Sequence, residues 1–204
     1  MIFPIPTTKY KILKTIYETQ KVKVSDLIKE VHASQKTAYK YLNDLIKSGI
    51  ISEELTGKKP ILRHFKPNLN TEAGRLCFAQ LETQKMLDFF NSYPYLKGPF
   101  TQFKKETESS VNTSLIFGSF AKGAETKESD IDVAIIGEKL NKKKITNITE
   151  RCFVTLKHRA SIRILNTKEF IGLLKNKDEF ALQIMKNHII VVNSYVWISM
   201  LKEV

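Results

Sequence analysis

Apolar residues recur along this chain first with the period of a helix and later with that of a strand. Early on, Ile12, Leu13 and Ile16 fall on one helical face, with Thr8 placed to cap it. "SDLIKEV" turns Leu27, Ile28 and Val31 inward behind Ser25 as N-cap. A short turn leads to Ser34, another good N-cap, and to "SQKTAYKYLNDLIKSG". There Ala38, Leu42, Leu45 and Ile46 form the buried stripe, and Gly49 stands where a helix-ending glycine belongs. Two apolar-rich runs, "IISEEL" and "ILRHFK", flank "TGKKP" and predict a hairpin with a basic tip. Residues 71–90 predict one long helix whose apolar positions, among them Leu76, Phe78, Leu81, Phe89 and Phe90, cover more than one face. Such a helix is either sandwiched between domains or paired with its copy in a second chain. "NSYPYLKGPF", with two prolines and a glycine, reads as a linker.

Beyond the linker the period shortens. "TSLIFG" is a buried-strand run ending at Gly118. In "DIDVAII", Ile131, Val133 and Ile135 alternate with Asp130, Asp132 and Ala134. A helix over 142–157, the strand "ASIRIL", helical patterns from Lys168 to His188, the strand "IIVVN" and a last helix capped by Ser194 complete the pattern. The fold class is α+β, with a mixed sheet and helices packed on it in the second half. The expected domains are 1–67, a helix and linker over 68–99, and 100–204.

Composition narrows the functions. No apolar run among the 204 residues reaches the roughly 20 needed to cross a bilayer. "MIFPIPTTKYK" carries no secretion signal, and Cys77 and Cys152 read as two reduced core thiols, so a cytoplasmic protein is expected. Net charge is +12, and residues 1–67 hold 13 Lys/Arg against 6 Asp/Glu. A basic block of this kind suits a polyanion, whose condensed counterions it releases.

The polar face of the third predicted helix presents Gln35, Lys36, Thr37, Tyr39, Lys40 and Asn43, types that contact base edges and phosphates. Helix, helix, turn, polar-faced helix and basic hairpin together resemble a winged helix-turn-helix domain. The resemblance implies double-stranded DNA as partner. It places Ser34, Gln35, Lys36, Thr37, Tyr39 and Lys40 at the major groove and the hairpin residues Lys58, Lys59 and Arg63 along the backbone or in the minor groove. Regulators of this kind read two half-sites as homodimers, which favours pairing of the long helix.

The stretch "LIFGSFAKGAETKESDIDVAII" carries the second resemblance. Period two puts Asp130 and Asp132 on one face, where like charges repel unless a cation lies between them. Oxygen-only ligands suit Mg²⁺ or Mn²⁺. Gly118 lets backbone approach a phosphate, and Ser119 can donate to its oxygens. A Walker P-loop is excluded, because Ala124-Glu125 follows Gly123 where Lys-Ser or Lys-Thr is required. An apolar strand, Gly-Ser, a spacer and Asp-Ile-Asp resemble the nucleotidyltransferase superfamily that includes DNA polymerase beta, over roughly residues 100–204. By this resemblance Gly118, Ser119 and Lys122 bind an NTP, and Asp130 and Asp132 are the catalytic metal ligands.

The superfamily's third carboxylate should come from "ASIRIL", where Ser161 and Arg163 point toward the site instead, leaving Arg163 to pair with the aspartates or to grip phosphates. Two readings follow. One is a DNA-binding transcriptional regulator with a domain that holds metal-nucleotide. The other is an active Mg²⁺-dependent enzyme that transfers a nucleoside monophosphate to a protein, RNA or small molecule.

Overall fold

A computed structural model describes residues 6–204; residues 1–5, which begin the stretch read for a secretion signal, lie outside them. The chain forms two compact units that divide between Leu81 and Glu82.

The first unit runs through α1 (Thr7–Thr19), β1 (Val22–Lys23), α2 (Val24–Val31), α3 (Gln35–Lys47), β2 (Ile51–Thr56) and β3 (Leu62–Pro67) into α4 (Glu72–Ser92). Its three strands pair antiparallel in the order β1-β3-β2, with Val22 opposite Phe65 and Phe65 opposite Glu53. The core is what the helical period predicts. Ile12, Leu13, Ile16, Leu27, Ala38, Leu42 and Leu45 are buried, and Ile51 and Phe65 join them from the sheet. Each large aliphatic or aromatic side chain so buried stabilises by roughly 1.5–3 kcal/mol.

Ser34 caps α3 as expected, its Oγ accepting the Thr37 N–H at 3.2 Å. Two other expected caps are corrected. Pro6 precedes α1, which places Thr8 inside the helix. Lys23 precedes α2, and Ser25 instead donates to the Asp26 carboxylate. The preceding strand β1 sets where α2 begins, so the local capping preference is overridden.

The second unit carries the rest of α4, then α5 (Pro94–Thr107), β4 (Thr113–Phe117), α6 (Gly118–Lys122), β5 (Ile131–Gly137), α7 (Lys142–Phe153), β6 (Ala160–Asn166), α8 (Thr167–Lys175), α9 (Glu179–Lys186), β7 (Ile189–Val192) and α10 (Ser194–Leu201). The sheet order is β6-β5-β4-β7. β5 and β6 run parallel and the other pairs antiparallel, a mixed sheet as expected. Ile131, Val133 and Ile135 of β5 enter one apolar cluster with Phe89, Phe90, Phe100, Phe103 and Phe153.

The expected linker is corrected here: "NSYPYLKGPF" is the end of α4 and the start of α5. Pro94 occupies the first turn, where no backbone N–H is needed, so it starts the helix rather than breaking it. Leu96, Phe100 and Phe103 form the buried face, and Phe100 and Phe103 lie 4.7 and 5.4 Å from the Phe153 ring. That burial holds Pro99 inside the helix despite its missing donor. Asn193, not Ser194, is the N-cap of α10.

The surplus apolar positions of α4 are divided between the units. Phe78 stacks on Tyr17 at 5.2 Å in the first, whereas Phe89 and Phe90 belong to the core of the second. Glu82 is buried in the second unit with its Oε1 2.9 Å from His188 Nε2, and His188 Nδ1 donates to the Ile184 carbonyl at 2.8 Å.

Candidate functional site

All five residues of β4 are buried, and Phe117 pairs with Asp132 across the strands. The apolar strand stops at Gly118, where φ is +71° and the chain turns into α6. A Cβ at Gly118 would collide with Asp132 Oδ2, so only glycine lets this carboxylate lie against the backbone. Ser119 follows, half-buried, on the first turn of α6. Lys122 is exposed at its end.

Asp130 is exposed one residue before β5, and Asp132 lies within the strand, half-buried. Burial is the main reason the Asp132 carboxyl titrates above the ordinary aspartate range, and the charge of Asp130 adds to it; a hydrogen bond from Ser161 and the charge of Arg163 act the other way. A carboxylate pair under this tension, with oxygen donors only, fits one hard divalent cation. Among the described residues no group of three or more His, Cys, Asp or Glu gathers for a metal.

Strand β6 carries the decisive register. Ser161 is the partner of Asp132, and Arg163 is the partner of Ala134. Side chains at paired positions of adjacent strands share a face, so Ser161 and Arg163 stand on the same face of the sheet as Asp132. The acids nearest in sequence do other work. Glu150 lies on α7, and Glu169 closes the capping box of α8 by accepting the Asn166 N–H. Arg163 and Asp132 do not form an ion pair among the described residues; the guanidinium lies 4.9 Å from the centre of the Phe180 ring. Phe180 in turn packs edge-on against Phe117 at 5.5 Å. Sequence reasoning misses Phe180, because its helical period places it as ordinary core and its partner is reached only through α9.

On the first unit, Gln35, Lys36 and Lys40 of α3 and Lys58 and Lys59 of the hairpin are exposed. Ser34 and Thr37 are spent on the helix cap, where their hydroxyls also bond at 2.9 Å. Arg63 pairs with Glu53 and lies over the rings of Tyr39, at 5.2 Å, and Phe65, at 5.6 Å. Tyr39 and Arg63 thus join α3 to the hairpin.

Comparison with protein families agrees with this division. A model described as winged helix-turn-helix DNA-binding matches residues 6–52, and one described as polymerase beta, nucleotidyltransferase, matches residues 102–195. The chain is a winged helix-turn-helix domain followed by a nucleotidyltransferase-fold domain. Comparison with curated proteins gives no match.

Proposed function

We propose that this protein is a DNA-binding transcriptional regulator whose nucleotidyltransferase-fold domain holds a metal-nucleotide and does not transfer it. The observation that carries the reading is the register of β6, with Ser161 beside Asp132 and Arg163 beside Ala134. Transfer by the two-metal route requires a carboxylate that holds the second ion and helps deprotonate the attacking hydroxyl. Serine and arginine supply neither function. Arginine is instead suited to phosphate oxygens.

In this reading Gly118 and Ser119 receive the phosphate chain, with Lys122 and Arg163 on either side of its charge. Asp130 and Asp132 would hold Mg²⁺ or Mn²⁺, and such an ion would supply positive charge to offset that of the phosphates. On the other domain, Gln35, Lys36 and Lys40 meet the major groove and Lys58 and Lys59 the backbone, while Ser34, Thr37, Tyr39 and Arg63 keep that face in shape. Two copies reading paired half-sites form the expected assembly, and Leu76 of α4, 54% exposed, offers an apolar position for it.

Calorimetric titration with each NTP, with and without Mg²⁺, tests the nucleotide half. Magnesium-dependent binding that disappears in Asp130→Ala is expected. No binding at millimolar nucleotide would leave the winged helix as the working part and refute the metal-nucleotide reading.

A further inference from the structure

The hairpin of the winged helix ends in aliphatic side chains that its core does not use. Leu55 is 61% exposed and Ile61 is 60% exposed. Leu55 pairs with Arg63 and therefore shares the sheet face of Glu53, Arg63 and Phe65. This is the face that meets α3, since the Arg63 guanidinium lies over both Tyr39 and Phe65. Ile61 immediately precedes β3 at the same parity as Arg63 and Phe65. The surface that begins with the polar side of α3 thus continues outward into two large apolar side chains.

The charge around them has one sign. Glu53 is neutralised by Arg63, and Glu54 by Lys21 at 2.7 Å and Lys66 at 3.4 Å. The Lys21 and Lys66 contacts hold the Glu54 carboxyl below its usual range. Lys58 and Lys59 stand exposed at the tip between Leu55 and Ile61, and no carboxylate pairs with them among the described residues. Lysine is depleted from the cores of protein–protein interfaces, so an apolar pair crowned by two free lysines is poorly suited to another protein. It is suited to a partner whose rim is anionic and whose interior is apolar. Duplex DNA has that construction, with phosphates outside and stacked bases within.

The winged-helix resemblance puts the hairpin along the backbone or in the minor groove; we propose that it acts in the minor groove as a wedge that bends the duplex. Lys58 and Lys59 engage phosphates bordering the groove, and Ile61, supported by Leu55, enters between two base pairs and kinks the duplex. This rests on the DNA-binding reading of α3 and goes beyond it, because it makes the protein one that bends its site. Side chains inserted in this way unstack one step, and pyrimidine–purine steps yield most readily. The protein therefore prefers a TA or CA step beside the sequence read by α3, without any hydrogen bond to that step.

The test uses the full-length protein and a duplex of about 30 base pairs with donor and acceptor dyes at its ends and a central TA step, a length short enough that elastic bending is small. Binding should shorten the end-to-end distance, and replacing the TA step by an A-tract should weaken both binding and shortening. Leu55→Ser and Ile61→Ser should remove the shortening while costing less than about tenfold in affinity. Both positions are exposed, so the variants should melt like the parent. Joint replacement of Lys58 and Lys59 by Ala should lower the salt dependence of binding by about two phosphate contacts and leave the bound duplex bent. A duplex bound without shortening, or shortening that survives both serine variants, overturns the wedge and leaves DNA binding intact. Failure to bind duplex even at low salt overturns both. If the DNA-free protein is an oligomer that Ile61→Ser dissociates, the patch joins copies of the chain and the wedge is wrong.

Discussion

On the first unit, the side chains proposed to meet DNA stand in solvent: Gln35, Lys36, Lys40, Lys58 and Lys59 are all exposed. The acids of the hairpin are tied into ion pairs that keep its surface positive. On the second unit, Asp132 is half-buried and set so close to Gly118 that a Cβ there would displace its carboxylate. The first arrangement gathers affinity from several screened charges, each contributing a little. On the reading proposed above, the second concentrates it in two carboxylates and one backbone turn. Damage should therefore be graded and salt-dependent on one unit, and nearly all-or-none on the other.

The largest effect should come from the carboxylates. Asp130→Ala or Asp132→Ala should weaken magnesium-dependent nucleotide binding by about 100-fold or more, read by calorimetry, while DNA affinity stays within about twofold. Gly118→Ala should come next. The added methyl must displace the Asp132 carboxylate and adopt a positive φ, so we expect a loss of about 1–3 kcal/mol in denaturant unfolding together with weakened nucleotide binding. Lys36→Ala or Lys40→Ala should weaken DNA binding only several-fold at moderate salt and reduce the slope of log affinity against log salt by about one. A loss of DNA binding from either single change, insensitive to salt, would break the contrast.

The smallest effect concerns the stability of the metal-free protein. The Asp132 carboxyl titrates above its ordinary value when folded, because burial and Asp130 disfavour its charge. Between the ordinary aspartate value and the raised one, the folded state holds more protons than the unfolded state. Stability therefore falls as pH rises through that window and is regained on acidification. Solvent screens most of this penalty, so Asp132→Asn should raise Tm by only about 1–2 °C above pH 6. Metal-dependent binding should change oppositely, strengthening as the carboxyl loses its proton. A pH-independent Tm difference between the two proteins would remove the burial argument.

Much of this was readable from pattern alone, and the failures share a cause. The helical stripe of α3, its Ser34 cap, the basic hairpin and the alternation of β5 follow from local periods and agree with the structure. That Ser161 and Arg163 share the face opposite Ile162 and Ile164 was also readable, but their register against the aspartate strand comes only from the structure. Pro94 and Pro99 read as breakers, yet the buried face of Leu96, Phe100 and Phe103 holds them in a helix. Thr8 and Ser25 lost their capping places to positions fixed by the neighbouring chain. The Glu82–His188 contact and the seat of Arg163 on Phe180 join residues far apart in sequence, which no local period reports. The pairing of Arg63 with Glu53 and its place over the Tyr39 ring likewise join residues that no local period brings together.

The central claim is that the second domain keeps its nucleotide intact. The most direct test is to incubate the wild-type protein with each NTP and Mg²⁺, at concentrations where calorimetry shows the site filled, and to follow pyrophosphate release. A filled site is expected, with release no faster than in protein-free solution, alone or with DNA present. Release above that background, abolished by Asp130→Ala, would show that transfer proceeds without a third carboxylate and would contradict that claim.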